Sequence, residues 1–282
     1  MKSTKKIISI DKLRPFENHP YKVQDNEEME ALAESIKEHG IVSPVIVRPL
    51  ENTKDEYEII SGHRRVMASK KAGISEVPAL VVSLDRDAAA IVLVDSNLHR
   101  EHILPSEKAF AYKMKAEALA HKGFRADLTS EQLAPKLATE QIAEDVGTSK
   151  DTIKRYIRLT NLIPEILQYV DEGRISFTPA VELSYLNEQE QQDLLEQIEQ
   201  SDCTPSLSQA CRFKKISQGE GLTPEVIAEI MEEEKANQKE RVKIPTEKLR
   251  KYFPKNYTVQ QIEDEIIRLC EKNYRNKQKD AR

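Results

Sequence analysis

The strand signals in this chain stop at Pro105, and that break limits what it can fold into. Before it, β-branched or apolar runs at Ile7 to Ile10, Val45 to Arg48, Tyr57 to Ile60 and Val77 to Val82 are bounded by Pro, Gly, Asn or Asp and read as strands. Helical periods lie between them. Asp25 and Glu28 have the spacing of a reciprocal capping box, after which Met29, Leu32, Ala33 and Ile36 share one face until Gly40. A second helix is expected from Arg64 to Ala72, ending at Gly73, and a third from Asp87 to Asn97, apolar nearly all round its middle and therefore buried. After Pro105 the segments through Ile216 read only as helices, separated by turns at Gly123, Gly147, Pro164, Gly173 and Pro205. The expected fold class is α+β: a small α/β domain over 1–103, a helical domain over 104–216, and a linker with a helical C-terminal region over 217–282. In that last part Ser217 to Gly221 is the linker, a helix starts at Pro224, and a charged stretch follows Glu232. A final helix begins at Thr258 with Gln261 as its capping partner and Ile262, Ile266, Leu269 and Cys270 as its stripe.

Composition narrows the function classes. With 282 residues, 39% apolar and 32% charged, the chain has material for ordinary cores in two or three domains. Its longest apolar run, Ala88 to Val94, falls far short of the ~20 residues needed to cross a bilayer, and its basic start lacks a secretory apolar core. No membrane role and a cytoplasmic location are expected. Cys203, Cys211 and Cys270 are odd in number and lack Cys-x-x-Cys spacing, so neither a disulfide framework nor a zinc finger is indicated. The net charge of -5 does not exclude nucleic acid, because binders concentrate charge on one face.

The segment Thr139 to Ile157 has the layout of a helix-turn-helix. Ile142, Ala143 and Val146 turn the first helix inward, Gly147 supplies the tight turn, and Ile153 and Ile157 anchor the second helix while Lys150, Thr152, Lys154 and Arg155 stay outward. Thr148 and Ser149 open that second helix and Arg158 closes it; the local charge is basic in an acidic chain, which matches phosphate. A plain helical hairpin with a solvated face is the competing reading. In the first domain Ser61-Gly62-His63-Arg64-Arg65 sits where a strand ends and a helix begins, so free N–H groups, two guanidinium forks and a glycine that admits a ligand could form an anion site. An Arg-Arg pair is more often a solvated face, and the spacing alone does not choose. His63 taken singly reads as a polar surface residue. Asp95 to Glu101 ends the apolar helix as either a site wall or a cap, and His63, His99 and His102 show no convergence that would make them zinc ligands.

Taken in order, Gly40-Ile41-Val42-Ser43-Pro44-Val45-Ile46-Val47-Arg48, Gly62-His63-Arg64-Arg65, Asn97-Leu98-His99-Arg100 and the helix-turn-helix resemble the ParB family of partition proteins over about Ile7 to Ile216. The stretch His19 to Val23 also resembles the family's nucleobase wall. The resemblance implies a homodimeric clamp that binds CTP with Mg2+ in the first domain and a palindromic, parS-like double-stranded DNA through the second helix of the motif. The clamp would be nucleoid- or plasmid-associated. By position, Gly62, Arg64 and Arg65 would hold the triphosphate and Gly40, Ile41 and Pro44 shape the adjoining wall. Ser61, His63, Asn97 and Arg100 would complete the site, with Asn97 left as metal donor. The basic start, Lys2, Lys5 and Lys6, is a candidate contact for a ParA-type ATPase.

The family pattern is Gly-Glu-Arg-Arg and Glu-Asn-x-Gln-Arg, whereas this chain has His63 and Ser96 at the two Glu positions and His99 at the Gln. Nucleotide binding survives that departure better than hydrolysis, and any CTPase activity should be weak. With His63 as phosphate donor, occupancy should respond to pH near the reference value of about 6.5. The competing function is a ParB-like transcriptional regulator of a mobile element that binds an operator without sliding. Enzymes on related domains fit less well, since no Cys precedes residue 203 and carboxylate bases are missing.

Overall fold

The computed structural model describes residues 3–51, 53, 55–98, 100, 102–125, 134–219, 221–233, 249, 251–254 and 257–280. They fall into two units, Met1–Glu232 and Glu233–Arg282.

The first unit opens with β1 (Ser3–Ser9), β2 (Leu13–Arg14), α1 (Glu27–His39), β3 (Val45–Pro49), β4 (Tyr57–Ser61), α2 (His63–Lys71), β5 (Glu76–Val82) and α3 (Arg86–Asp95). The strands form a five-stranded mixed sheet in the order β1-β5-β3-β4-β2. β1 pairs antiparallel with β5, β5 parallel with β3, β3 antiparallel with β4, and the two-residue β2 parallel with β4. β2 has no sequence signal, being too short for alternation to show. Ile10, expected to end the first strand, instead starts a short 3-10 turn over Ile10–Lys12. Val45, Val47, Val77 and Ala79 are buried with Ile8 and Ile59 in the sheet's core.

Helix α1 is capped by Asn26, whose side chain accepts from the Met29 N–H at 3.2 Å, not by Asp25. Asp25 pairs with Lys71 instead, so the cap moves by one residue and the expected reciprocal box does not form, Met29 having no side-chain acceptor to return the bond. Helix α3 is buried as expected, its Ala89, Ala90, Leu93 and Val94 meeting Phe16, Tyr21 and Ile60. Its cap is Asp85, which accepts from the Ala88 N–H at 2.7 Å.

Beyond Pro105 no strand occurs among the described residues. The helices are α4 (Pro105–Arg125), α5 (Ala134–Val146), α6 (Lys150–Arg158), α7 (Pro164–Asp171), α8 (Phe177–Leu183), α9 (Glu188–Ser201), α10 (Leu207–Ser217) and α11 (Pro224–Glu232). Asn187 and Ser206 build capping boxes with Glu190 and Gln209 at the starts of α9 and α10. The N–H groups of Gly219 and Gly221 both return to the Ile216 carbonyl near the end of α10. Leu222, Ile227, Ile230 and Met231 then join one core with α7 to α10. Helix α4 serves both halves of the unit: Ala111 and Ala118 pack with α3, while Tyr112 packs with Ile142 and Ile153 of α5 and α6.

In the second unit a helix spans Val259–Asp280. Thr258 and Gln261 cap it reciprocally, at 2.9 and 3.3 Å, as the sequence suggests. Of its expected stripe Ile262 is buried, while Leu269 and Cys270 are exposed. No described helix is long and apolar enough to cross a membrane. The charged stretch 234–241 lies outside the described residues.

Candidate functional site

Strand β4 delivers the chain to Ser61, and α2 starts at His63, with Gly62 between them at φ 106°. A Cβ at Gly62 would stand 2.8 Å from Cγ1 of Val45 on the neighbouring strand, so both the backbone angle and the space require glycine. The turn opens into a cavity of about 110 Å3. Ser61, Gly62, His63, Arg64, Arg65, Asn97 and Arg100 line it, joined by His19, Tyr21, Lys22 and Val23 from the loop before α1. Residues far apart in sequence are thus brought to one helix start, where unpaired N–H groups favour an anion. Gly40, Ile41 and Pro44 do not line the cavity; Pro44 reaches it only through its carbonyl, which accepts from Arg65 Nη1 at 2.9 Å, beside a second bond from Nη1 to the Ser43 carbonyl. Arg64 is held by Glu28 at 3.0 Å, an exposed pair that a phosphate can displace at little cost.

The cavity corrects the reading of His63. Its ring lies 3.9 Å from that of His19, and its Nε2 accepts from the Phe16 N–H at 3.4 Å. Burial, then the neighbouring His19 and Arg100, push its pKa down to about 3. His63 is a neutral, partly buried wall residue, not a surface group, and Nε2 as acceptor places its proton on Nδ1. Occupancy should therefore not turn on its titration near pH 6.5. His19 is also lowered, mainly by burial, while its Nδ1 meets the Tyr21 carbonyl at 2.7 Å.

For a divalent cation the donor set is poor. No carboxylate lines the cavity among the described residues, and Asn97, whose Nδ2 donates to the Leu93 carbonyl at 2.7 Å and to Ser96 Oγ at 3.2 Å, could offer a cation only the neutral Oδ1. No cluster of three His, Cys, Asp or Glu suited to a metal occurs among the described residues, and His99 lies outside them.

The helix-turn-helix forms from α5, Gly147 at φ 70°, and α6. Ser149 caps α6, accepting from the Thr152 N–H at 3.1 Å, and Thr148 closes the turn through its N–H to the Ala143 carbonyl. Ile142, Ala143 and Ile153 are buried with Val146 and Ile157 against them, as the spacing requires. Lys150 and Lys154 are exposed, Lys150 with Glu140 at 3.1 Å. Arg155 departs from its expected outward position: its Cζ lies 5.0 Å from the Phe177 ring centre and its Nη2 donates to Thr178. Arg158 lies 3.5 Å over the Tyr185 ring and donates to the Ser184 carbonyl.

Three further residues carry no sequence signal. Lys115, on α4, is fully buried, with its Nζ 2.6 Å from both Asp95 and Asp145. Burial would lower its ammonium, but the bonds to Asp145 and Asp95 outweigh that and hold it above its ordinary value. Glu107 accepts from the N–H groups of Lys22 and Leu104, and Asp171 accepts from the Ser106 N–H at 2.9 Å, fastening the loop wall of the cavity and the start of α4 to α7.

Two family models match this chain in succession, a ParB N-terminal domain over residues 1–98 and a ParB HTH domain over residues 107–205. The chain is 35% identical over 170 residues to a chromosome-partitioning protein Spo0J of Thermus thermophilus, covering 60% of this chain and 55% of that one. It thus spans little more than half the length of that relative. Two solved structures of C-terminally truncated Caulobacter crescentus ParB are also similar. The one complexed to the centromeric parS site is 24% identical over 74% of this chain and 98% of that one, TM-score 0.42. The one complexed with CTP-gamma-S is 27% identical over 69% and 98%, TM-score 0.33.

Proposed function

The chain belongs to the ParB family, and from that premise we propose that it is a centromere-binding protein that holds CTP at the Gly62 turn and a parS-like duplex along α6. Nucleotide would close two copies of the chain around the DNA during segregation of a chromosome or plasmid, with a ParA-type ATPase as partner. The observation that supports this best is the cavity itself: a helix start with Arg64, Arg65 and Arg100 converging and no carboxylate among the described residues that line it, in the same unit as a formed helix-turn-helix.

Guanidinium forks and helix-start N–H groups suit a polyphosphate, and His63 contributes a neutral Nδ1–H donor. The magnesium that the family implies would find no carboxylate among the described lining residues. With no acidic side chain among the described lining residues to position water, turnover is slow and nucleotide release governs reopening.

Titration calorimetry with CTP, ATP, GTP and UTP, each with magnesium or with EDTA, tests the site. CTP should bind in both conditions, and Arg64→Ala or Arg65→Ala should weaken it by about tenfold or more. Equal binding by the variants would remove the turn from the site. Recovery of genomic fragments with and without CTP tests the clamp; a DNA profile that ignores CTP would favour an operator-binding regulator.

A further inference from the structure

Lys115 is the largest fully buried side chain of the described residues and the one whose burial needs explaining. It stands midway along α4, the helix shared by the sheet domain and the helix-turn-helix. Its ammonium meets Asp95 Oδ1 at 2.6 Å and Asp145 Oδ2 at 2.6 Å, although its own side chain is only 2% exposed. One carboxylate would neutralise it. The second adds a negative charge at a desolvated ammonium, an arrangement that contributes little net stability compared with an apolar residue of similar size. What the second arm adds is geometry, because a single buried ammonium now fixes the positions of two helix ends.

Those two ends belong to different functions. Asp95 is the last residue of α3, and Asn97, two residues on, lines the cavity, followed by Arg100. Asp145 is the penultimate residue of α5, immediately before the Gly147 turn that sets the direction of α6. The links through Glu107 and Asp171 reach the start of α4 and the end of α7, whereas Leu98, next to Asn97, packs against the helix-turn-helix core of Ile142, Ala143 and Ile153, an apolar contact beside which Lys115 supplies the polar, direction-fixing link.

We propose that Lys115 is a positioning residue that couples the nucleotide cavity to the helix-turn-helix, its ammonium holding the end of α3 and the end of α5 in one relative placement. When a ligand draws on Asn97 and Arg100, the α3 end moves against an anchor that also holds α5, and the two arms cannot both keep their bonds unless α5 follows. Two allosterically coupled sites typically change each other's affinity by about 5–150-fold. The inference rests on the nucleotide and DNA reading above, and its test separates the two.

The full-length protein and the variants Lys115→Met, Asp145→Asn and Asp95→Asn would be titrated with CTP by calorimetry. Each would also be titrated by fluorescence anisotropy with a duplex enriched from random sequence by the natural protein, with and without saturating CTP. In the natural protein CTP should change the DNA affinity by about fivefold or more. In Lys115→Met and Asp145→Asn that ratio should fall to about twofold or less, with CTP affinity in calorimetry changed by no more than about threefold. A merely structural lysine would lower the melting temperature and leave the ratio unchanged, which would overturn the proposal. A natural protein that binds both ligands with a ratio near one would also overturn it, whereas absence of CTP binding in calorimetry would show that the underlying reading has failed. If Lys115→Met does not fold, Asp145→Asn and Asp95→Asn decide, because those carboxylates are 44% and 49% exposed and their loss leaves the lysine one partner.

Discussion

At the start of α2, Arg64 and Arg65 border an open cavity. Along α6, Arg155 and Arg158 lie back on the rings of Phe177 and Tyr185. Both segments show paired basic residues on a helix with a glycine nearby. The difference comes from what each helix packs against. Around the start of α2 stand backbone carbonyls and the neutral imidazoles of His19 and of His63 itself, which leave a guanidinium able to take an anion, whereas α8 and the turn after it offer aromatic faces. Tyr185 is held between Arg158 and Lys214, 3.5 and 3.7 Å from its ring centre, so Arg158 ties α6 to the helices behind it. The cations that α6 leaves exposed are therefore lysines, Lys150 and Lys154. A basic count locates charge; the neighbours decide whether it serves a ligand or the fold.

The comparison breaks first at Gly62. Alanine there must accept φ 106° and a 2.8 Å approach to Val45 Cγ1, so Gly62→Ala should cost about 1–3 kcal/mol of stability and abolish detectable nucleotide binding. Chemical denaturation and calorimetry measure the two effects, and a variant of natural stability with intact CTP affinity would show that the turn does not shape the cavity.

On α6 the contrast sharpens into a division of labour between neighbours. Arg158→Ala removes the ring contact and the bond to Ser184, and should lower stability by about 1–2 kcal/mol. Lys154→Ala, at an exposed position, should leave the melting temperature within error and weaken DNA binding by about 1 kcal/mol. If Lys154→Ala unfolds the protein while Arg158→Ala alters only DNA binding, the assignment is reversed.

The legible and illegible parts of this molecule separate by range. Strands β3, β4 and β5, the buried face of α3 and the packing of α5 on α6 follow from local periodicity, and the Thr258 cap follows from a local pair. The Gly62 turn was visible as a possible anion site because a strand, a glycine and two arginines are consecutive. The His19 contact with His63 and the double engagement of Lys115 were not, since each joins elements that only the tertiary fold brings together. The shift from Asp25 to Asn26 as cap has a simpler origin: both residue types cap well, and Lys71 on α2 takes up the aspartate.

At neutral pH the smallest effect is expected at His63, and it bears on whether the cavity's wall is neutral. Its folded pKa of about 3 lies below the value near 6.5 of an unfolded chain, so between those values the unfolded state binds a proton that the folded state refuses. Stability is therefore complete above about pH 6.5 and declines as the pH falls, by at most about 1.4 kcal/mol per unit, until the folded imidazole also titrates. His19 and Arg100 face it and add to the penalty for a charge, while Phe16 N–H needs the lone pair on Nε2. Nucleotide affinity between about pH 7 and 8.5 should then be flat, because the donor on Nδ1 does not change state in that range. His63→Gln should remove this part of the acid sensitivity in denaturant titrations between about pH 5 and 7 and leave the neutral-pH affinity within about threefold. An imidazole nitrogen resonance of His63 titrating near pH 6.5 in the folded protein would overturn the assignment and return the residue to the role of a proton-dependent phosphate ligand.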